Sequence, residues 1–298
     1  MDSHFLGFLS GLAYLALCLL IASRRAGKKR LPGGPLPGIV HHGPDEAFTI
    51  GQLAEEDGGR PLAALLSLSC LISLLAFLFM PFGTLPSLIP VSGGALFVVG
   101  ALAAALGFLY LAGGSSAVCR GWGAPVCLGA SLAVIAQYAR QRGVPGDLST
   151  LDAYVAMPVI GVAEGVGKSG VGILAAISLL ALWNASPAGP APAGEEKPPR
   201  AGEALLVALA SELWLLAGIA FWVCLFFPFS LASGQDSAIS GFGGLALNAL
   251  LFWGKVLGLE WSMEKARAIP ARGLPFPATI FIAFLALGAW LLLGVAAE

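Results

Sequence analysis

Charge is what this sequence has least of. Asp, Glu, Lys and Arg make up only 11% of its 298 residues, where a water-soluble domain usually carries about 25%. A net charge of −1 leaves no field that would gather nucleic acid. Histidine is scarce as well, and His4, His41 and His42 all lie outside the apolar runs. The adjacent pair His41-His42 has no third ligand in view. The five cysteines, Cys18, Cys70, Cys119, Cys127 and Cys224, form no CxxC and no Cys/His cluster. They read as small core residues, so no metal and no cofactor is expected on this chain. Any redox centre then belongs to a partner. No basic stretch precedes the first apolar run. Lys and Arg follow it instead, so a retained span is expected there rather than a removable signal peptide.

Apolar residues fill the space that charge leaves. They are 57% of the chain, and the mean hydropathy is +0.86. A bilayer core of about 30 Å needs roughly 20 apolar residues per helix. Runs of that kind lie at about 5–23, 62–82, 94–113, 122–139, 204–229, 239–260 and 277–296. One more falls within 153–183 and is interrupted by glycines. The forty glycines and twenty prolines suit this picture, because both are more frequent in membrane helices and small residues let backbones approach. The fold expected is an all-α, polytopic membrane protein of about eight transmembrane helices. It forms one integral membrane domain in two parts: five spans within 1–183 and three within 202–298, joined by a Pro/Ala-rich polar linker at 184–201.

Basic residues set the orientation. With eight spans and the N-terminus outside, the cytoplasmic loops hold Arg24, Arg25, Lys28, Lys29, Arg30, Arg60, Arg120, Lys197, Arg200, Lys265, Arg267 and Arg272. The outside loops hold Arg140 and Arg142, and Lys168 and Lys255 fall within spans. Seven spans would break this asymmetry for the last loops. The implied location is a bacterial or archaeal cytoplasmic membrane.

An ionisable residue inside an apolar run is kept at a cost, so it is a functional candidate by default. Glu164 and Lys168 are four apart and would face each other on a helix. The alternative is a wet interfacial loop or re-entrant turn. The stretch Gly165-Val166-Gly167-Lys168-Ser169 is not a phosphate-binding loop, because Val162 stands where a glycine is needed and no strand precedes it. Glu203 lies near the start of the sixth run, where an acid complements the helix dipole. Glu212 lies about a third of the way in. A carboxylate there must be protonated, paired or open to water, which points either to proton relay or to a satisfied structural acid. Lys255 lies more than a turn inside the seventh run, deep for a side chain that would snorkel. Glu260, Glu264, Lys265 and Arg267 follow, as a cytoplasmic docking edge or a plain solvated helix end. Gln137 and Asn248 read as polar contacts between helices.

Several of these pieces occur together in one family. Gly34-Pro35 follows the first basic stretch, an acidic segment spans Asp45 to Glu56, and Pro81-Phe82-Gly83 closes the second run. Gly121-Trp122 leads to Ala136-Gln137, and Lys255 is followed by Glu260, Met263, Lys265 and Arg267. On these residues the chain resembles the membrane subunit shared by respiratory complex I (the subunit-1 or H type) and by membrane-bound, energy-converting nickel–iron hydrogenases and formate hydrogenlyases. Arg140, Gln141 and Arg142 stand where the complex I branch has an acidic Ser-Tyr-Glu. The quinone-facing Arg-Pro-Phe-Asp is not recognisable, so the hydrogenase branch is the closer match.

The resemblance implies a non-catalytic coupling subunit of a multi-subunit oxidoreductase. It implies large and small redox subunits as partners, with iron–sulfur and nickel–iron centres of their own, and antiporter-like membrane subunits beside it. Arg25, Arg30, Asp45, Glu46, Glu195, Glu196, Lys265 and Arg267 would face the redox arm. Glu164, Lys168, Glu203, Glu212, Lys255 and Glu260 would form the path for protons or sodium ions. Two other expectations compete: a membrane anchor without conduction, and a stand-alone secondary transporter. The latter fold often shows internal repeats, and none is visible.

Overall fold

An uncharged apolar run has one economical way to satisfy its backbone polar groups, which is to bond them to one another within a helix. That is what the chain does. The computed structural model describes residues 16, 17, 19, 20, 60–81, 87–89, 91–113, 122–141, 149–152, 171–185, 201–227 and 242–267. Among these the regular structure is helical. Six helices are defined: α1 (Arg60–Leu78), α2 (Gly94–Gly113), α3 (Gly123–Gln141), α4 (Val171–Ala185), α5 (Ala201–Phe226) and α6 (Phe242–Arg267). Residues 16, 17, 19 and 20 of the first apolar run are also helical. The last run, 277–296, lies outside the described residues.

Helix ends follow local chemistry. Pro61 sits in the first turn of α1, where its missing N–H costs nothing. The other end tightens into i→i+3 bonds, Phe79 N to Ala76 O and Met80 N to Phe77 O, both 3.2 Å, before Pro81. The chain turns back through Gly93 at φ 85°, a left-handed conformation that glycine adopts without a Cβ penalty. Ser149 then supplies what the start of α2 lacks. Its hydroxyl accepts from Gly93 N at 2.7 Å, and its carbonyl accepts from Ala95 N at 3.0 Å. Orphan donors at a helix start are thus met by a residue more than fifty positions away.

Among the described helices, α5 is the hub. It packs against α1, α2, α3, α4 and α6, while α1 also lies along α2, and α3 joins α2 to α4. Within the apolar windows, 83% of α5 is buried against 39% of α2. Two tryptophans fix α5 against its neighbours. Trp214 Nε1 donates to Leu102 O on α2 at 2.8 Å. Trp222 Nε1 donates to Ala175 O on α4 at 3.0 Å and to Ser178 Oγ at 3.1 Å. Where α5 meets Leu182 of α4, it carries Gly218.

Residues 94–112 and 206–226, within α2 and α5, are long and apolar enough to cross a membrane. Of the interrupted run within 153–183, the part among the described residues is α4, 15 residues long. The expected runs at 62–82, 94–113, 122–139, 204–229 and 239–260 correspond to α1, α2, α3, α5 and α6, with ends displaced by a few residues.

Candidate functional site

Within α5, Glu212 is a buried acid in a run of apolar residues. Its side chain is 2% exposed and is flanked on the helix by the buried Ser211 and Leu213. Ser211 Oγ turns back to Val207 O at 2.5 Å, so that hydroxyl serves its own helix. Trp214, two residues on, directs its indole N–H to α2. A carboxylate so enclosed, in the helix that touches every other described helix, is an unusual thing to keep.

A second carboxylate is buried in α6. Asn248, Phe252, Val256, Glu260 and Met263 are all buried, and their spacing makes them one stripe. Glu260 is 5% exposed. It belongs to the inward face of α6.

Lys255, seven residues beyond Asn248, borders that stripe and is half-buried. Its ammonium donates to Phe227 O at 3.1 Å and stands 5.8 Å from the centroid of the Phe227 ring. A cation at a helix C-terminus meets both an orphan carbonyl and the negative end of the dipole. Phe227 is fifteen residues beyond Glu212, a separation of about 22 Å at 1.5 Å per residue. Lys255 and Glu212 therefore sit at different depths and do not pair directly.

The end of α5 near Lys255 gathers further polar groups. Asp152 accepts from Ser87 N at 2.7 Å through Oδ1 and from Ser87 Oγ at 2.6 Å through Oδ2. Cys224 Sγ approaches Pro81 O at 3.6 Å and lies within electrostatic range of both Asp152 and Lys255. Asp152 is the residue the sequence patterning passes over. The available signal was an acid following Ser149-Thr150 at the head of an apolar run, a helix-start pattern. Buried hydroxyls continue through the bundle: Ser69 Oγ donates to Ala105 O at 2.8 Å and Ser131 Oγ to Cys127 O at 2.7 Å. Ser73 Oγ, fully buried, meets no hydrogen-bond partner among the described residues.

The other expected site residues are placed only in part. Glu203 lies in the first turn of α5, Gln137 near the end of α3, and Lys265 and Arg267 in the last turn of α6. Their side chains are outside what the structure describes. Glu164, Lys168, Arg25, Arg30, Asp45, Glu46, Glu195 and Glu196 lie outside the described residues. Among the described residues no group of three His, Cys, Asp or Glu is placed to hold a metal ion. No family model matches the chain, and comparison with curated proteins finds no match.

Proposed function

We propose that this chain is a polytopic membrane subunit that couples a peripheral redox module to ion movement, in the manner of the complex I H-type subunit and its hydrogenase counterparts. The observation that carries the proposal is Glu212, a carboxylate 2% exposed in the central, most enclosed helix. The outward faces of the bundle support its setting. Leu68, Leu71 and Leu75 of α1, Leu96, Phe97 and Leu111 of α2, and Leu250 and Trp261 of α6 are all exposed, and lipid is the solvent that accepts such a surface.

In this reading the eight apolar runs span the cytoplasmic membrane with the N-terminus outside. Arg25, Arg30, Asp45, Glu46, Glu195, Glu196, Lys265 and Arg267 meet large and small redox subunits, which hold the iron–sulfur or nickel–iron centres. Antiporter-like subunits lie beside the chain in the bilayer. Glu164, Lys168, Glu203, Glu212, Lys255 and Glu260 carry the ion route. A charge change near a buried carboxylate alters its proton affinity, and the proton passes to the next group.

Glu212→Gln tests the proposal, because it keeps the shape and removes the titrating group. Partners that co-purify from native membranes are identified first, and ion pumping is then followed in vesicles. The expected outcome is an assembled complex that no longer pumps. Pumping at the wild-type rate would favour a non-conducting anchor. A variant and wild type that both purify alone, without redox partners, would leave the transporter reading in its place.

A further inference from the structure

The hydroxyl of Ser73 is a buried donor that its surroundings leave over. Ser131, Ser178, Ser211 and Ser262 each turn back to a carbonyl of their own helix, and Ser69 reaches across to Ala105 O. Ser73, fully buried in α1, does neither, and its Oγ meets no hydrogen-bond partner among the described residues. A stranded donor in an apolar bundle is a cost that alanine would not carry.

Contacts between the helices say what faces it. From Ser69 to Phe79 on α1, the partner on α2 moves back from Ala105 to Phe97. The two helices are therefore antiparallel, and Ser73 is level with Leu102. Trp214 at Leu102 O and Cys224 at Pro81 O bring α5 to the same level, running the same way as α1. At about 100° per residue, Ser73 is turned about 40° round α1 from Ser69, and Leu102 about 60° round α2 from Ala105. Both turns lead toward α5. Pro81, further round α1 in the same sense, meets Cys224, and Leu102 meets Trp214. The Ser73 hydroxyl, the Leu102 carbonyl and the Trp214 indole thus share one three-helix junction, and all three residues are buried.

Two donors meet one acceptor there. A carbonyl oxygen has two lone pairs. One on Leu102 O serves the ladder of α2, and the other takes the Trp214 indole at 2.8 Å. When the indole withdraws, Ser73 can replace it, and the indole becomes the stranded donor. Each arrangement makes one bond and strands one donor, so neither is favoured by the hydrogen-bond count. A packed junction with two such solutions is bistable. We propose that Leu102 O is exchanged between Trp214 and Ser73, and that this exchange is the freedom α5 keeps against the α1–α2 pair. Trp214 is two residues from Glu212, so the arrangement adopted sets how α5 presents that carboxylate. This consequence rests on the coupling reading; the exchange itself does not.

Fluorine NMR of the full chain, labelled with 5-fluorotryptophan in mild detergent, tests the exchange. The Trp214 signal is assigned by its loss in Trp214→Phe. It is expected to be split or broadened in the wild type and single and sharp in Ser73→Ala. Ser73→Thr, which restores the hydroxyl, is expected to split or broaden it again. The same signal in all three chains would overturn the proposal, and so would a split that survives in Ser73→Ala. A double-mutant cycle on unfolding gives a second measure. Trp214→Phe leaves the same gap in either background, but beside Ser73→Ala it leaves Leu102 O with no substitute donor. There it is expected to raise the unfolding equilibrium constant roughly fivefold to tenfold more than in the wild type. Effects that simply multiply would mean that Ser73 never takes the carbonyl. Neither measurement involves pumping, so failure here would leave the coupling reading standing.

Discussion

Asp152 shows what one side chain holds together. Both its carboxylate oxygens are spent on Ser87, one on the main-chain N–H and one on the hydroxyl. Ser87 is itself buried. Truncation to Asp152→Ala would strand two donors of a buried residue, and each stranded group costs about 1–3 kcal/mol. Asp152→Ala should therefore destabilise the chain by roughly 2–4 kcal/mol, whereas Asp152→Asn, which keeps one oxygen as an acceptor, should cost about half as much. Thermal unfolding of the purified chain in mild detergent ranks the two variants. Equal midpoints for Asp152→Ala and wild type would mean that this clasp contributes nothing. Lys255 works differently. Its bond to Phe227 O caps a helix end, and the same carbonyl has water or a neighbouring backbone group as substitutes.

At the scale of the helix, the contact of α5 with α4 turns on Gly218. A Cβ built there would lie 2.6 Å from Leu182 Cδ2, and Leu182 is itself fully buried. Alanine asks one methyl group to move aside, but a β-branched residue asks two helices to separate. Gly218→Val is expected to cost about 1–3 kcal/mol through overpacking, and Gly218→Ala distinctly less. The two unfolding midpoints, measured side by side, check this, and a Gly218→Val variant as stable as wild type would place α4 farther from α5. Such pairings were not legible beforehand. These helices are apolar nearly all round, so no periodic polar face announces which side meets which neighbour. What was legible is the existence of the helices, because long uncharged runs have few alternatives, and Glu212, because a lone acid in such a run stands out. The burial of Glu260 in line with Asn248, Phe252 and Val256 was not legible, because a run apolar on both sides does not say which face turns inward. Asp152 stayed hidden because its partner Ser87 is 65 residues away, and nothing local to either residue marks the pairing.

For the molecule as a whole, the question is what covers its outward leucines. Leu68, Leu71 and Leu75 are spaced i, i+3 and i+7 and make an exposed stripe on α1. Water, lipid and a partner protein each answer differently to a charge placed there. On a surface facing water, Leu71→Arg changes stability by no more than about 0.5 kcal/mol. Leu71 is near the middle of α1, and arginine near the middle of a bilayer-crossing helix costs roughly 2.5–3.5 kcal/mol. One turn from the helix end, at Leu75, the long side chain reaches the interface and the cost falls. A bilayer therefore predicts a graded penalty, with Leu71→Arg clearly worse than Leu75→Arg. A protein partner closing over the stripe predicts similar losses at both positions, because a desolvated charge without a counter-charge is costly at any depth. The fraction of each variant that remains in the membrane after alkaline extraction measures the gradient. We expect depth to decide it. Two silent variants would put water outside α1 and would remove the membrane setting that the proposed route through Glu212 requires.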